Sequence, residues 1–316
     1  MEHWSKLPAI FQKDVIENLD YKSRCRLRKC SKSEKSLVDS CPVILDSVNL
    51  EPRIGNQIYF SIEQNGILLN DKASEPKLVI QDFLLIFKNR KSQVKQLTVD
   101  HYNFQRQPDA INNLVSCLLV AGNNLKFKIL KLKFQYGEIG DKSLLDFIKA
   151  MDSKTFDSLA IRSFPVKTQA VLNELVVTGQ WKTLKELQID EKISVPISNF
   201  LHLESFRLSY YSMSSSDAWK CIEKFRSAKR PAFSFFEIYV IQDLSIADVL
   251  SHLDVHVENR PIGPEYVNNA VQHTQHFKLS WSNEHLFVVK IGKRFLRGAI
   301  CRKDFLHEDY EKLEDL

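Results

Sequence analysis

One six-residue pattern, apolar-x-x-apolar-x-apolar, recurs along the chain and constrains its fold more than any other feature. The last three positions alternate, as in a short strand that buries one face. Six copies start 33, 29, 28, 19 and 30 residues apart, and a seventh, Leu45/Val48/Leu50, lies upstream. The six are Val94/Leu97/Val99, Phe127/Leu130/Leu132, Phe156/Leu159/Ile161, Leu184/Leu187/Ile189, Leu203/Phe206/Leu208 and Phe233/Phe236/Ile238.

Helix signals occupy most gaps between the copies. The segments are 109–122, 141–151, 168–179 and 214–226, and Asp, Thr or Ser stands at each start and Gly at two of the ends. The 19-residue gap has room only for a loop at 194–199. A strand and a helix in each unit of about 20–30 residues predict an irregular, leucine-rich-repeat-like α/β array with a parallel sheet.

Two observations keep an ordinary α/β or α+β domain open as the alternative. Short apolar motifs arise easily in a sequence rich in Leu, Ile and Phe, and the copies lack the Asn or Cys that usually follows a regular leucine-rich strand. In the repeat interpretation, the strands pair in sequence order and the helices lie on the outer side through right-handed crossovers. Trp181, Leu184 and Leu187 would then be core residues.

The N-terminal 40 residues predict three short helices. Pro8 suits a first helical turn, and apolar residues from Phe11 to Leu19 recur on one face. Ser23 is a candidate N-cap for a second helix, and Ser31 with Glu34 reads as a capping box that opens a third. A module this small buries little surface, so a partner helix in an apolar groove would stabilise it.

Composition and charge exclude several classes of protein. The chain has 316 residues, 44% of them hydrophobic, and a net charge of +5, which does not favour nucleic-acid binding. Seven Lys or Arg fall between residues 22 and 35, as on a solvated helix face. The six cysteines lack zinc-site spacing, and neither a signal peptide nor a membrane-length apolar stretch is present. We expect an intracellular protein of the cytoplasm, the nucleus or both, with no membrane partner.

No motif in the sequence carries catalytic chemistry. The nine glycines never cluster into a phosphate-binding loop, and no Gly-x-Ser-x-Gly elbow occurs. The pairs His252/His256 and His273/His276 lack the glutamate of a zinc-protease motif. We therefore expect no enzyme activity, no cofactor and no metal site.

The N-terminal residues resemble an F-box, the helical module that docks on a Skp-type adaptor in cullin–RING ubiquitin ligases. The form is closest to the nematode F-box A family, with Cys30 where Val is commoner and Glu34-Lys35 where many F-boxes have an aromatic residue. The matching residues are Trp4, Leu7-Pro8, Val15-Ile16, Leu27-Arg28-Lys29-Cys30-Ser31-Lys32 and Leu37-Val38-Asp39.

The rest of the chain resembles the FTH-type domain of the same family. The most recognisable residues are Gln180-Trp181-Lys182, followed by the segment 184–189. Segments 81–83, 94–99, 214–217, 277–279 and 286–291 contribute further similarity. The predicted domains are therefore an F-box at 1–42, a linking segment with a hairpin at 43–75, and an FTH-type, leucine-rich-repeat-like interaction domain at 76–316.

The resemblance implies a substrate-recognition adaptor of a Skp–cullin–F-box ubiquitin ligase, whose partners are a Skp-type adaptor, a cullin reached through it, and a target protein. The alternative is a non-catalytic interaction scaffold that binds such an adaptor, or other partners, without a ligase role. The implied docking residues are Leu7, Pro8, Ile16, Leu19, Leu27 and Cys30.

The repeat also predicts where a target would bind. Residues between and just after the last two apolar positions of each copy point away from the core, and repeat arrays often bind partners through such rows. The alternative is that these positions are solvated and the target meets loops or the C-terminal segment. The predicted target-binding residues are Thr98, Asp100, Lys131, Lys133, Arg162, Gln188, Asp190, Arg207, Ser209, Glu237 and Tyr239.

Overall fold

A computed structural model describes residues 4, 6–53, 57–100, 110–122, 125–135, 141–162, 168–253 and 271–305. The chain divides into two compact units, Met1–Leu184 and Lys185–Leu316. Unit 1 begins with three short helices and continues into a mixed α/β region, and unit 2 is also mixed α/β. The predicted order of a helical N-terminus followed by an α/β region with parallel strands is confirmed.

The N-terminal helices, which we call the helical module, are α1 (Ala9–Asn18), α2 (Tyr21–Leu27) and α3 (Lys32–Ser40). Its small core consists of Ile16, Val38 and Cys41, against which Trp4, Leu27 and Leu37 pack.

Side-chain caps set the starts of two of these helices. Ser31 caps α3 as predicted, because its Oγ accepts a hydrogen bond of 3.2 Å from the Glu34 amide. Ser23 as the N-cap of α2 is wrong: the cap is Asp20, whose Oδ1 accepts from the Ser23 amide at 2.7 Å. The helix therefore starts at Tyr21, which is buried and whose hydroxyl donates to the Asp82 carbonyl at 3.3 Å.

The strands of unit 1 are β1 (Ile44–Arg53), β2 (Gln57–Gln64), β3 (Ile67–Ser74), β4 (Gln93–Asp100), β5 (Ile129–Gln135) and β6 (Ser158–Arg162). They lie in the order β3-β2-β1-β4-β5-β6. β1, β4, β5 and β6 pair in parallel, whereas β1–β2 and β2–β3 are antiparallel. Residues 43–75, expected to link two domains, thus contribute three strands to this sheet.

The predicted hairpin in this segment is confirmed at β2–β3. Its two-residue turn is Asn65-Gly66, with φ of 54° and 72°. Positive φ at both turn residues matches the right-handed twist of the strands, and Asn-Gly tolerates it best.

Five helices accompany these strands: α4 (Pro76–Ile86), α5 (Ala110–Gly122), α6 (Asp141–Lys149), α7 (Thr168–Leu175) and α8 (Gly179–Thr183). Their apolar side chains cover one face of the sheet, as Phe147 of α6 packs edge-on against Phe134 of β5 at 6.1 Å between ring centroids. Phe83, Phe87 and Phe127 continue this aromatic core. Gly179, expected to end a helix, begins α8 instead.

The parallel register corrects one copy of the repeat. Leu97 pairs with Leu132, and Leu132 with Leu159, so the copy on β5 is Ile129/Leu132/Phe134. The predicted Phe127/Leu130/Leu132 is two residues too early, because Phe127 belongs to the aromatic core and bridges Met151 before the strand begins. A shift of two keeps the alternation, so Lys131 and Lys133 remain on the face predicted for them.

The strands of unit 2 are β7 (Glu186–Ile193), β8 (Ser205–Tyr210), β9 (Phe235–Val240), β10 (Val271–Leu279), β11 (Ser282–Gly292) and β12 (Phe295–Arg302). Their order is β7-β8-β9-β12-β11-β10. β7, β8 and β9 are parallel, and the remaining pairs are antiparallel. Pairing of the repeat strands in sequence order is confirmed within each unit, but the antiparallel strands at 271–302 were not predicted.

Helices α9 (Ser215–Ser227) and α10 (Ile246–Ser251) belong to unit 2, with short 3-10 turns at Ile197–Asn199 and Lys303–Phe305. Phe225 of α9 packs against Phe206 and Phe236 at centroid distances of 6.0 and 4.8 Å, so one sheet face is covered by this helix. Phe233 as the first position of the last copy is wrong, because it precedes β9 at φ 66° and is 42% exposed. Trp181, Leu184 and Leu187 are buried, as predicted.

Candidate docking surfaces

Helix α1 presents apolar side chains to solvent. Leu7, Phe11 and Val15 are 43%, 58% and 42% exposed, and Ile10 is 73% exposed. Phe11 and Val15 are four residues apart and therefore lie on one face of α1. Together with the exposed Pro8 they form what we call the α1 surface: Leu7, Pro8, Ile10, Phe11 and Val15. So many exposed apolar groups on so small a module mark an interaction surface.

The structure separates the six docking residues predicted from the sequence. Leu7 and Pro8 lie on the α1 surface, and Cys30 is exposed just after α2. Leu19 and Leu27 are half-buried, and Leu27 packs on the module core. Ile16 is fully buried with Val38 and Cys41, so we assign it to the core.

Sequence reasoning did not include Ile10, Phe11 and Val15, which the structure shows to be exposed beside Leu7 and Pro8. Val15 and Ile16 are adjacent, so they point about 100° apart around α1, and only one of them can enter the module core. The apolar run by itself does not say which one.

Arg24 fixes the helical module to the strand that follows it. Its guanidinium donates to the carbonyl oxygens of Leu19, Pro42 and Glu17 at 3.0, 2.5 and 2.8 Å, and the residue is 4% exposed. Burial lowers the pKa of Arg24. The side chain thus caps the C-terminal end of α1 and ties it to the start of β1.

Asp39 makes a second connection, from α3 to α2 and to the end of α4. Arg28 donates to both carboxylate oxygens, at 2.6 and 3.3 Å, and Lys88 also pairs with the carboxylate. Burial raises the pKa of Asp39, but the hydrogen bonds from Arg28 and Lys88 outweigh it and lower the pKa overall. The charge of Asp39 is therefore retained where the module meets α4.

Further hydrogen bonds reinforce this junction within unit 1. Asn89 donates its side-chain amide to the Ser40 carbonyl at 2.7 Å, and the Tyr21 amide donates to the Gln64 side chain at 2.8 Å. The module is thus anchored at several points to the sheet and helices of its own unit, while the α1 surface remains exposed.

The basic segment at 22–35 has two structural roles. The side chains of Arg24 and Arg28 make the structural hydrogen bonds described above. The remaining cations are exposed on α2, on α3 and between them, and they are Lys22, Arg26, Lys29, Lys32 and Lys35. The module therefore combines an apolar surface with a positively charged one.

The predicted target-binding residues lie on the sheet face that points away from the helices, which we call the opposite face of each unit. In unit 1, Thr98 pairs with Lys133, while Asp100, Gln135 and Arg162 follow one another across β4, β5 and β6. Lys131 is exposed one row lower. These five predicted residues thus share one polar face.

The other six predicted residues fall in unit 2. Gln188, Arg207 and Glu237 form one row across β7, β8 and β9, and Ser209 pairs with Tyr239 in the next row. Asp190 lies where the register between β7 and β8 shifts, and its carboxylate accepts from the side-chain Nε2 of Gln188 at 2.9 Å.

Glu237 organises the opposite face of unit 2. It is 6% exposed and pairs with Arg207 and with Arg297, whose Nε lies 2.5 Å from Glu237 Oε1. Tyr239 donates its hydroxyl to Glu237 at 2.7 Å and accepts from Arg297 at 2.7 Å. Sequence reasoning missed Arg297, because only the pairing of β12 with β9 brings it beside Glu237.

Within the described ranges, no group of three or more His, Cys, Asp or Glu side chains is arranged to hold a metal ion. His273 and His276 lie in β10, and His256 lies outside the described residues. No helix in the described part of the chain is long and apolar enough to span a bilayer.

Comparisons with known families agree with this organisation. The family model of the F-box domain matches residues 4–46, and that of the FTH domain matches residues 109–256. A search of the curated proteins found no match. The chain therefore has an F-box domain followed by an FTH domain. The F-box domain supports protein interaction, in particular the binding of a Skp-type adaptor.

Proposed function

We propose that this protein is a substrate-recognition adaptor of a Skp–cullin–F-box ubiquitin ligase. The F-box docks a Skp-type adaptor, the FTH domain binds a target protein, and the partner enzymes supply the chemistry. The observation that carries the proposal is the exposed α1 surface on a module matched by the F-box model.

The α1 surface suits a helical partner. Apolar side chains at helical spacing dock into grooves between helices of a partner, and a few anchors supply most of the binding energy. The exposed lysines and arginines of 22–35 would favour an acidic adaptor and accelerate its association.

The anchored module also supports the proposal. Because Arg24, Asp39 and Asn89 fix the helices to unit 1, a partner on the α1 surface is held in a defined position relative to the sheet of that unit. Ubiquitin transfer needs such a defined geometry, because reacting groups must be brought together.

The target would bind the opposite faces of the units, where the eleven predicted residues lie. These faces carry polar and charged residues, among them Arg and Tyr, which are enriched at interface hot spots. In unit 2 the same face also holds a buried apolar cluster of Val288, Ala299 and Cys301. Glu237 would act there by positioning Arg207 and Arg297, since it is itself buried.

The deciding experiment is capture of the adaptor and a cullin by purified full-length protein. Leu7→Ala with Pro8→Ala should weaken adaptor capture by more than about tenfold, because truncating two anchors typically costs 2 kcal/mol or more. The matched control truncates two exposed apolar residues of the helix layer, Leu78→Ala with Val120→Ala, and should leave capture unchanged.

Two results would contradict the proposal. Unchanged capture by the Leu7/Pro8 variant would reject the α1 surface as the docking site. Adaptor capture without any cullin would favour the scaffold alternative, in which the adaptor is bound outside a ligase.

A further inference from the structure

A pocket lies where two parallel strands of unit 2 end. One wall, residues 193–197, starts at the last residue of β7, and another, residues 210–213, starts at the last residue of β8. We call this cavity of about 230 Å³ the strand-end pocket. Seven of the ten described residues that line it are apolar or aromatic, among them Val195, Pro196, Tyr211 and Met213. Ligands of open α/β sheets commonly bind beside the carboxyl ends of parallel strands.

Hydrogen bonds fix the walls of the strand-end pocket. The Tyr210 hydroxyl donates to the Val195 carbonyl at 2.9 Å and so ties the loop after β7 to β8. Burial raises the pKa of Tyr210, so its hydroxyl stays protonated and keeps donating. Asp217, at the start of α9, accepts from the Ser214 hydroxyl at 2.9 Å and from Lys220 at 2.8 Å. The pocket is therefore formed before a ligand arrives, which lowers the entropy lost on binding.

The size and lining of the strand-end pocket suit a single apolar side chain. An apolar cavity of about 150 Å³ is enough to hold a benzene ring, whereas sites for cofactors and other small molecules usually measure about 300–1,000 Å³. Tyr211, which lines the pocket, is 63% exposed and offers its ring to a ligand that enters. Side chains that fill such pockets are typical anchors of protein interfaces. The pocket therefore fits one large apolar residue of a partner protein better than it fits a cofactor.

Lys192 places a positive charge beside the strand-end pocket. It is exposed, and its ammonium lies 5.3 Å from the centroid of the Tyr211 ring. In the part of the chain that the structure describes, no carboxylate forms an ion pair with Lys192, and the preceding Glu191 does not line the pocket. The negative charge of Asp217 is already balanced by Lys220. Charge complementarity therefore favours a ligand with a carboxylate next to its apolar side chain.

We propose that the strand-end pocket binds a large apolar side chain of the target protein, with an adjacent carboxylate of the target beside Lys192. This inference rests on the proposed function, in which the FTH domain holds the target. The pocket adjoins the residues predicted to bind the target, because Lys192 pairs with Ser209 and Ser209 with Tyr239 across β7, β8 and β9. The apolar side chain would supply most of the affinity, and the carboxylate would set the direction in which the target segment lies.

The test follows the methionine methyl signals of the isotope-labelled full-length protein by NMR. Met213 lines the pocket, whereas Met151 is fully buried in unit 1 and serves as the internal control. The blocked dipeptide N-acetyl-Glu-Phe-amide should shift the Met213 signal to saturation and leave the Met151 signal in place. N-acetyl-Glu-Ala-amide, which lacks the large apolar group, should bind at least about tenfold more weakly. N-acetyl-Lys-Phe-amide, which lacks the carboxylate, should bind about two- to fivefold more weakly, as expected for an exposed ion pair.

Two variants locate the binding in the strand-end pocket. Ser212→Phe adds a ring at an exposed position in the pocket lining and should weaken binding of N-acetyl-Glu-Phe-amide by at least about tenfold. The matched control, Ser227→Phe, adds the same ring at an exposed serine at the end of α9 and should leave the affinity unchanged. Lys192→Glu keeps the apolar lining intact and should reverse the preference, so that the Lys-Phe dipeptide binds more tightly than the Glu-Phe dipeptide.

Several results would overturn the inference. A Met213 signal that does not move with N-acetyl-Glu-Phe-amide, or that moves together with Met151, would reject the pocket as its binding site. Equal affinities of the Phe and Ala dipeptides would reject the apolar anchor, and an unchanged preference in Lys192→Glu would reject the role of the carboxylate. Adaptor capture measured on the same samples separates these failures from failure of the proposed function, because it depends on the α1 surface and should be the same for Ser212→Phe as for wild type.

Discussion

The helical module and the sheet of unit 2 use their side chains in opposite ways. The module buries only a few residues of its own, is held in place by polar contacts such as those of Arg24 and Asp39, and leaves Leu7, Phe11 and Val15 exposed. The sheet buries Phe206 and Phe236 under Phe225 of α9. Its opposite face carries the charged groups around Glu237 beside a buried apolar cluster of Val288, Ala299 and Cys301. A small module that leaves apolar residues exposed gains no stability from burying them, whereas the sheet of unit 2 buries its large apolar residues and keeps polar groups at its surface.

The largest expected effect on stability comes from comparing a buried phenylalanine of the unit 2 sheet with an exposed phenylalanine of the helical module. Phe206→Ala should destabilise unit 2 by about 3–5 kcal/mol, because Phe206 is fully buried against Phe200, Phe225 and Phe236. Phe11→Ala, in the module, should change the free energy of unfolding by less than about 0.5 kcal/mol. Urea denaturation measures both, and similar losses at the two positions would mean that the α1 surface is structural.

The second expected effect sharpens the claim that polar contacts hold the module. Arg24→Met should cost at least about 3 kcal/mol, because three carbonyl oxygens lose their buried donor. Arg26→Met, two residues along the same helix but exposed, should cost less than about 0.5 kcal/mol. Hydrogen exchange across α1 and β1 would show whether the loss is local, and equal effects of the two substitutions would contradict the anchoring role.

The two regions also differ in how far the sequence predicts them. Short-range rules sufficed for the Ser31 cap, the Asn65-Gly66 hairpin and most of the repeat strands, because each depends on residues close in the chain. The pairing of β12 with β9 did not follow from the sequence. It brings Arg297, 60 residues after Glu237 in the chain, beside that carboxylate, and no local pattern relates the two residues.

The Gln180-Trp181-Lys182 motif shows a similar limit. Its position behind an F-box indicates the family, yet its role becomes clear only in the structure. Gln180 donates to the carbonyls of Lys149 and Met151, both at 3.0 Å, and Trp181 is buried. Through Gln180 and Trp181 the motif therefore closes the end of α6 and fills the core of unit 1, so these two residues contribute to folding.

The smallest expected effect concerns the charge of Asp39, which joins the module to α4. Asp39→Asn should cost about 1.5–3 kcal/mol at neutral pH, because Arg28 and Lys88 lose a charged acceptor. The pKa of Asp39 is lowered in the folded protein, so its contribution to stability is complete above the unfolded-state pKa of about 3.9 and disappears as the pH falls through the lower folded-state value. The difference between wild type and variant should therefore shrink on acidification towards pH ~3. Asp14→Asn, at an exposed aspartate on α1, serves as the matched control and should change the free energy of unfolding by less than about 0.5 kcal/mol at neutral pH. If the difference in unfolding free energy for Asp39→Asn stayed constant down to that pH, packing at this junction, and not the charge of Asp39, would hold the module to α4. The module would then be held by packing, as the sheet of unit 2 is.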